Sequence, residues 1–297
     1  MATRIVGVLN ATPDSFSDGG RFTSVEDAVA AGLAMVADGA DWIDVGGEST
    51  RPGSQPVSEA EEIARVVPVI RGLSKHLTGT VRISVDTYKA ATARAALAEG
   101  ATAVNDVSGG LLDPKILGVT AAGGAAIVLG HLRGKPADMQ ASVHFDDVVD
   151  EVAHELASRV AAARTAGCSE VWADPGIGFG KHLDHNLGLL KHLASLRVRL
   201  GVPMMVGVSR KRFIGDLLSS WEPSKGSQTL PRWSAAGEAG GLPTRAIRPP
   251  SERVFGTAAA VAVAIMNGAD AVRVHDVAAM RDVVRVAEAI AGAGELD

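Results

Sequence analysis

Two hydrophobic rhythms alternate along this chain. Apolar runs of four or five residues, rich in Val and Ile, break into polar turns, and each turn leads into a longer stretch with apolar positions three and four apart. The first rhythm is that of buried strands, the second that of amphipathic helices. In order, the strands fall at 5–9, 42–45, 81–85, 101–104, 125–129, 170–173, 203–206 and 271–274. Helical sequence follows at 24–38, 58–77, 89–99, 114–122, 145–165, 184–200, 251–267 and 277–290. Ser24 with Asp27, and Ser58 with Glu61, carry the spacing of a helix N-cap and its partner three residues on.

Eight strands, each followed by a helix, predict a parallel sheet closed into a (β/α)8 barrel, a single domain over 1–297. An open doubly wound sheet is the alternative, but it lacks the eighth repeat and carries its glycine fingerprint at the first turn. Here GIGFG at 176–180 follows the sixth strand. One stretch breaks the alternation. Residues 219–250 hold five Pro, five Ser and four Gly among 32 residues, a loop composition inserted before the seventh helix. The segment holds Trp221 and Trp233, and Lys225, Arg232, Arg245 and Arg248 outnumber Glu222 and Glu238. Leaving from the loop after the seventh strand, it is expected to act as a flap over the site, with an inert surface extension as the alternative.

Composition narrows the class. With 46% hydrophobic but only 4% aromatic residues, the core is built from Ala, Val, Leu and Ile. A net charge of -5 without a basic run argues against a nucleic-acid partner. One cysteine, Cys168, excludes a disulfide framework. The opening MATRIVGVLN lacks the pattern of a signal peptide and no apolar run approaches membrane length, so the expected location is the cytoplasm, with no membrane partner.

In a barrel the carboxyl ends of all strands meet on one face. The polar residues placed there are Asn10, Thr50 with Arg51, Asp86, Asn105, His131 with Arg133, Asp174, Ser209 with Lys211, and Arg273 with His275. Asp86, Asn105 and Asp174 are short planar groups on rigid strand ends. A carboxylate accepts paired N–H bonds from an amino-substituted heterocycle, and an amide meets a mixed donor and acceptor edge. Arg51, Lys211, Arg273 and His275 form a cationic rim suited to phosphate or carboxylate. The set describes a site for a flat polar ring carrying a phosphate. A sugar-phosphate enzyme is the alternative from chemistry alone, but it wants glycine-rich loops after strands seven and eight. His182 and His185 share a polar helix start, which reads as surface rather than metal site.

The motifs GVLNATPDSFSDGG, DVGGESTRPGS, SVDT, NDVSGG, DPGIGFGK, VGVSRKRFIG and VRVHDV, in that order, resemble the dihydropteroate synthases of the folate pathway. The similarity covers nearly the whole chain outside the insertion. It implies a homodimeric barrel that condenses 6-hydroxymethyl-7,8-dihydropterin pyrophosphate with p-aminobenzoate, with Mg2+ as cofactor. By that resemblance Asp86, Asn105, Asp174 and Lys211 hold the pterin. Asn10, Arg51, Arg273 and His275 surround the pyrophosphate, with Asn10 the magnesium ligand. Phe16, Thr50, Pro52, Phe179 and Ser209 form the aminobenzoate subsite. Asp86, Lys211, Arg273 and His275 are the residues expected to act on the chemistry. The chain departs from the family pattern at Gly130 and Leu132, where methionines are usual, which suggests a roomier pterin pocket. It departs again in a short N-terminal segment and in the insertion. A pterin-dependent methyltransferase and a non-catalytic pterin-binding paralogue are the rival readings.

Overall fold

Eight short strands form one parallel sheet: β1 (Arg4–Asn10), β2 (Trp42–Gly46), β3 (Arg82–Asp86), β4 (Ala103–Asp106), β5 (Ala126–Gly130), β6 (Val171–Asp174), β7 (Met205–Gly207) and β8 (Ala271–Val274). The structure is a computed structural model that describes residues 2–11, 24–49, 54–77, 79–135, 138–140, 143–220 and 247–293. The order β6-β5-β4-β3-β2-β1-β8-β7 leaves β6 and β7 at its two ends. A parallel bridge between Ala173 and Met204 joins those ends, with Ala173 N–H donating to Pro203 O at 3.0 Å, so the barrel expected from the sequence closes.

Helices α1 (Val25–Ala37), α2 (Glu59–Ser74), α3 (Ala90–Ala98), α4 (Lys115–Ala122) and α5 (Val148–Thr165) follow the first five strands. Both predicted caps form: Ser24 Oγ accepts from Asp27 N–H at 3.1 Å, and Ser58 Oγ from Glu61 N–H at 3.3 Å. The helix expected at 184–200 is instead two, α6 (Leu183–Lys191) and α7 (Leu193–Leu200), parted at His192. The break lets Leu189 and Leu190 on one piece, and Leu193, Leu196 and Leu200 on the other, all reach the core.

The sequence predicts a loop after β7, from which the insertion leaves. The structure instead starts helix α8 (Arg212–Ser220) there, because Phe213 and Ile214 bury against the barrel. The insertion therefore departs from the end of a helix and not from the strand-end loop. Its interior, 221–246 with Trp221 and Trp233, lies outside the described residues. Its two ends meet, since Arg248 N–H donates to Ser219 Oγ at 2.9 Å. A 3-10 turn (Pro250–Glu252), α9 (Val254–Met266), β8 and α10 (Val277–Gly292) complete the chain.

Strand parity sorts the side chains into two shells, because successive residues of a strand face opposite sides. Ile5, Leu9, Ile43, Val45, Ile83, Val85, Val104, Ile127 and Leu129 face outward and pack under the helices. Val6, Trp42, Ala103, Ala126, Trp172, Met205 and Ala271 face inward and plug the amino end of the barrel. Trp42 and Trp172 meet edge to face there at 5.4 Å. Arg82 covers Trp42 at 4.8 Å and pairs with Glu170, which closes this end with charge. With that end filled, the remaining inward positions of the described strands lie toward their carboxyl ends.

Candidate active site

Continuing the inward parity upward gives the walls of the opening at the carboxyl ends. Above the plug come Asp44, Ser84, Asn105, Gly207 and Arg273, and above these Asn10, Gly46, Asp86, Gly130 and Asp174. Nearly all of the polar residues predicted on the described strands thus project to one space. Asn10 sits half-buried at the end of β1, in register with Gly46 of β2.

Arg273 is the centre of this arrangement. Its Nε donates to Asp44 Oδ2 and one terminal nitrogen donates to Asp86 Oδ2, both at 2.6 Å. Asp44 also accepts from Asn105 Nδ2 at 2.9 Å and from the Ser84 hydroxyl at 2.6 Å. Burial pushes the Asp86 carboxyl up to about 7, with Asp44 adding to the rise and Arg273 opposing it. For Arg273 burial acts downward, but the carboxylates of Asp44 and Asp86 outweigh it and hold the guanidinium charged.

A second convergence lies across the opening. A β-carbon built on Gly207 would sit 3.7 Å from Lys211 Nζ, 3.8 Å from Arg273 Cβ and 3.8 Å from Asp174 Oδ2. Asp174, Lys211 and Arg273 therefore border one small volume. Burial raises Asp174 against the pull of Lys211, and lowers Lys211 to about 8 against the pull of Asp174. Lys211 Nζ donates to the carbonyl of Ile177 and lies 4.5 Å from the Phe179 ring centroid. Ser209 and His275 are joined: His275 N–H donates to Ser209 Oγ at 3.2 Å, and His275 Nδ1 lies 3.0 Å from the same oxygen.

Two expected members do not join. His131 is fully buried and turned away, with Nε2 3.1 Å from Glu155 and Nδ1 2.9 Å from Lys181 Nζ. Burial first, and Lys181 second, hold its imidazole down to about 3, so it is neutral. Arg133 pairs with Glu151 and Glu155 and covers Phe145 at 4.0 Å. Both belong to a network behind β5 that is buried at His131 and about one-third exposed at Arg133, Glu151 and Glu155. Lys181, which parity could not place, anchors that network by donating to Phe179 O at 3.0 Å.

The roomier pocket expected at Gly130 does not follow either. A β-carbon there would meet Val107 O, Cα and C at 2.6 to 2.8 Å, so backbone of the β4–α4 turn already fills that space. Phe16, Thr50, Arg51 and Pro52 lie outside the described residues. His182 and His185 pair at the helix start, where His182 N–H donates to His185 Nδ1 at 3.2 Å and the His185 ring meets Phe145 edge-on at 5.0 Å; no cluster of three metal-binding side chains forms among the described residues.

Sequence reasoning missed Asp44. It stands two residues before Gly46 in WIDVG, so the period of two already gave it the inward face. Asp44 lies below the rim, two residues short of the strand end where the other polar residues gather.

Comparison with known proteins agrees with this geometry. The family profile described as pterin binding enzyme matches residues 6–275. The chain is 44% identical over 294 residues to a dihydropteroate synthase of Mycobacterium leprae, covering 98% of this chain and 94% of that one. Among solved structures it superposes on the Yersinia pestis dihydropteroate synthase in complex with a sulfonamide drug, with TM-score 0.84, 36% identity and coverage of 98% and 95%. It also matches the Xanthomonas albilineans dihydropteroate synthase with 4-aminobenzoic acid, with TM-score 0.81, 41% identity and coverage of 99% and 94%.

Proposed function

This chain belongs to the pterin-binding enzymes and, within them, to the dihydropteroate synthases, transferases of folate biosynthesis, and from that premise we propose how its own residues divide the work. The reaction joins 6-hydroxymethyl-7,8-dihydropterin pyrophosphate to p-aminobenzoate, giving 7,8-dihydropteroate and pyrophosphate. The convergence of Asp174, Lys211 and Arg273 around Gly207 carries the assignment of roles.

Asp174 and Asn105 take the amino-pyrimidinone edge of the pterin, and Lys211 takes its carbonyl side. As the bond from the pterin methylene to pyrophosphate breaks, positive charge spreads into the ring, and the Asp86 carboxylate stabilises it. Arg273 and His275, with Arg51, neutralise the departing anion. Phe179, Ser209, Phe16, Thr50 and Pro52 form the aminobenzoate subsite. The arylamine supplies the electron pair for the new C–N bond and gives up one proton. It is a sufficient nucleophile, so no activated base is needed.

Asn10 is the proposed magnesium ligand. A single side-chain oxygen beside an anion site suits an ion that keeps most of its waters and arrives with phosphate oxygens. When bound, magnesium would offset pyrophosphate charge. We further propose a homodimer through α9 and α10, which expose Phe255, Val263 and Met266 beside Val286 and Ile290. The cytoplasm is the proposed location; no described helix is long and apolar enough to cross a membrane.

Dihydropteroate formation from the two substrates, with and without magnesium, tests the assignment. Product that depends on both substrates and falls at least about tenfold on chelation supports it. Pterin binding without turnover favours a non-catalytic paralogue, and methyl transfer from a folate donor favours a methyltransferase. Light scattering tests the dimer, and a monomer at micromolar concentration rejects it.

A further inference from the structure

Asp44 carries three hydrogen bonds that the assigned roles leave unused. It is fully buried on β2, one layer below the rim, and accepts from Asn105, Arg273 and Ser84. An amide presents similar shapes with its nitrogen or its oxygen forward, so its orientation is set by its partners. A carboxylate only accepts. Facing Asp44, Asn105 must present Nδ2, which leaves Oδ1 and the second amide hydrogen as the mixed edge available to a ring. Arg273 is fixed in the same way, with its fork gripped at Nε by Asp44 and at a terminal nitrogen by Asp86.

We propose that Asp44 is the positioning residue of the pterin subsite, fixing the orientation of the Asn105 amide and dividing the charge of Arg273 between two carboxylates. This rests on the pterin roles assigned to Asn105 and Asp86 above. Asp44 lies beneath those groups and acts through them, so it is not itself a catalytic residue. Its reach extends to Asp86. That carboxyl faces Arg273 from β8, Asp44 from β2, Glu62 from α2 and Asp106 from β4, with Lys211 also within electrostatic range. Of these cations Arg273 acts most strongly on it, and Asp44 holds part of that charge away.

Asp44→Asn separates charge from shape. The new amide can keep its oxygen toward Asn105 and Arg273 and turn its NH2 to the Ser84 hydroxyl, which accepts. Arg273 keeps that hydrogen bond, but Asp86 becomes its one hydrogen-bonded carboxylate. In the ligand-free protein the Asp86 carboxyl, followed by 13C NMR and assigned by its loss in Asp86→Asn, should titrate lower by about one pH unit, a tenfold change in proton affinity. Asp44→Ala also releases the Asn105 amide. At pH 8.5 the calorimetric affinity for 6-hydroxymethylpterin should fall at least about tenfold in Asp44→Ala and less than about threefold in Asp44→Asn. In an Asn105→Ala background most of the alanine effect should vanish.

An unmoved Asp86 titration in folded Asp44→Asn overturns the proposal, as does wild-type pterin affinity in Asp44→Ala. Should both variants fail to fold, Ser84→Ala decides. It removes one donor to Asp44, draws Arg273 toward Asp44 and should move the Asp86 titration upward; no movement overturns the proposal. If the wild-type protein binds no pterin, the pterin roles fall, while the ligand-free titration still decides whether Asp44 governs Arg273 and Asp86.

Discussion

The ammonium of Lys211 lies 4.5 Å from the centroid of the Phe179 ring while donating to the carbonyl of Ile177. One side chain thus ties the loop after β6 to the segment after β7, with Asp174 close enough to be its main attractive charge.

Lys211→Met removes both the tie and the charge opposite Asp174. Truncating one partner of a buried charge pair costs about 2–5 kcal/mol, so pterin pyrophosphate affinity should drop by at least about thirtyfold. Phe179→Ala should instead raise the aminobenzoate KM while pterin affinity stays within about threefold, losing mainly packing area. Calorimetry with the pterin and steady-state kinetics with aminobenzoate separate the two. Equal losses for both ligands in both variants would make the loop merely structural.

Arg273→Ala and His275→Ala should differ, although both residues face inward on the same strand line. Arg273 is paired with two carboxylates, so its removal strands Asp44 and Asp86 as well as an anion contact. Breaking a buried pair costs about 3–5 kcal/mol, which should appear as lower melting temperature and weaker binding of the bare pterin. His275→Ala should spare the bare pterin and weaken only pyrophosphate-dependent binding. Indistinguishable thermal melts for the two variants would contradict the pairing.

The pH profile of kcat/KM should be bell-shaped. Asp86, pushed up to about 7 by burial, ionises as pH rises and brings activity in; Lys211, lowered to about 8 by burial, then loses its proton and takes activity out. Asp86→Asn should erase the acid limb and Lys211→Met the alkaline one. For stability the Asp86 sign runs the other way. The folded state binds that proton more tightly than the unfolded chain, so this group's contribution shrinks as pH rises through about 4 to 7. A flat activity profile between pH 6 and 9 would refute both assignments.

Gly130→Ala should destabilise the barrel, because its methyl group would press on the Val107 backbone, which cannot rotate away as a side chain does. Overpacking of this kind costs about 1–3 kcal/mol. Chemical denaturation checks it, and an unchanged midpoint would show that the β4–α4 turn yields freely.

Replacing residues 221–246 with a six-residue Gly-Ser linker should leave the fold intact, since the Ser219–Arg248 hydrogen bond already joins the flanks. Shortening the loop about fourfold should stabilise by about 1 kcal/mol. A lower melting temperature would mean that the insertion packs on the barrel. An altered KM for either substrate would support its expected role as a flap.

The strand rhythm was enough to read the barrel, and the period of two within each strand put Asn10, Asp86, Asn105, Asp174, Arg273 and His275 on one inward face. Those features are local: alternation and spacing along the backbone fix them before any distant contact forms. What happens across strands was not legible. Asp44 meets Arg273 although 229 positions separate them, and His131 turns from the rim to Glu155 and Lys181. Gly130 is filled by the backbone of a neighbouring turn rather than opening a pocket. Each of these depends on the stagger between strands and the tilt of the closing barrel, which place charges within a few ångströms of each other or keep them apart. A one-dimensional pattern specifies which way a side chain points. Only barrel closure sets which partner stands there and, through burial and pairing, which groups keep their charge.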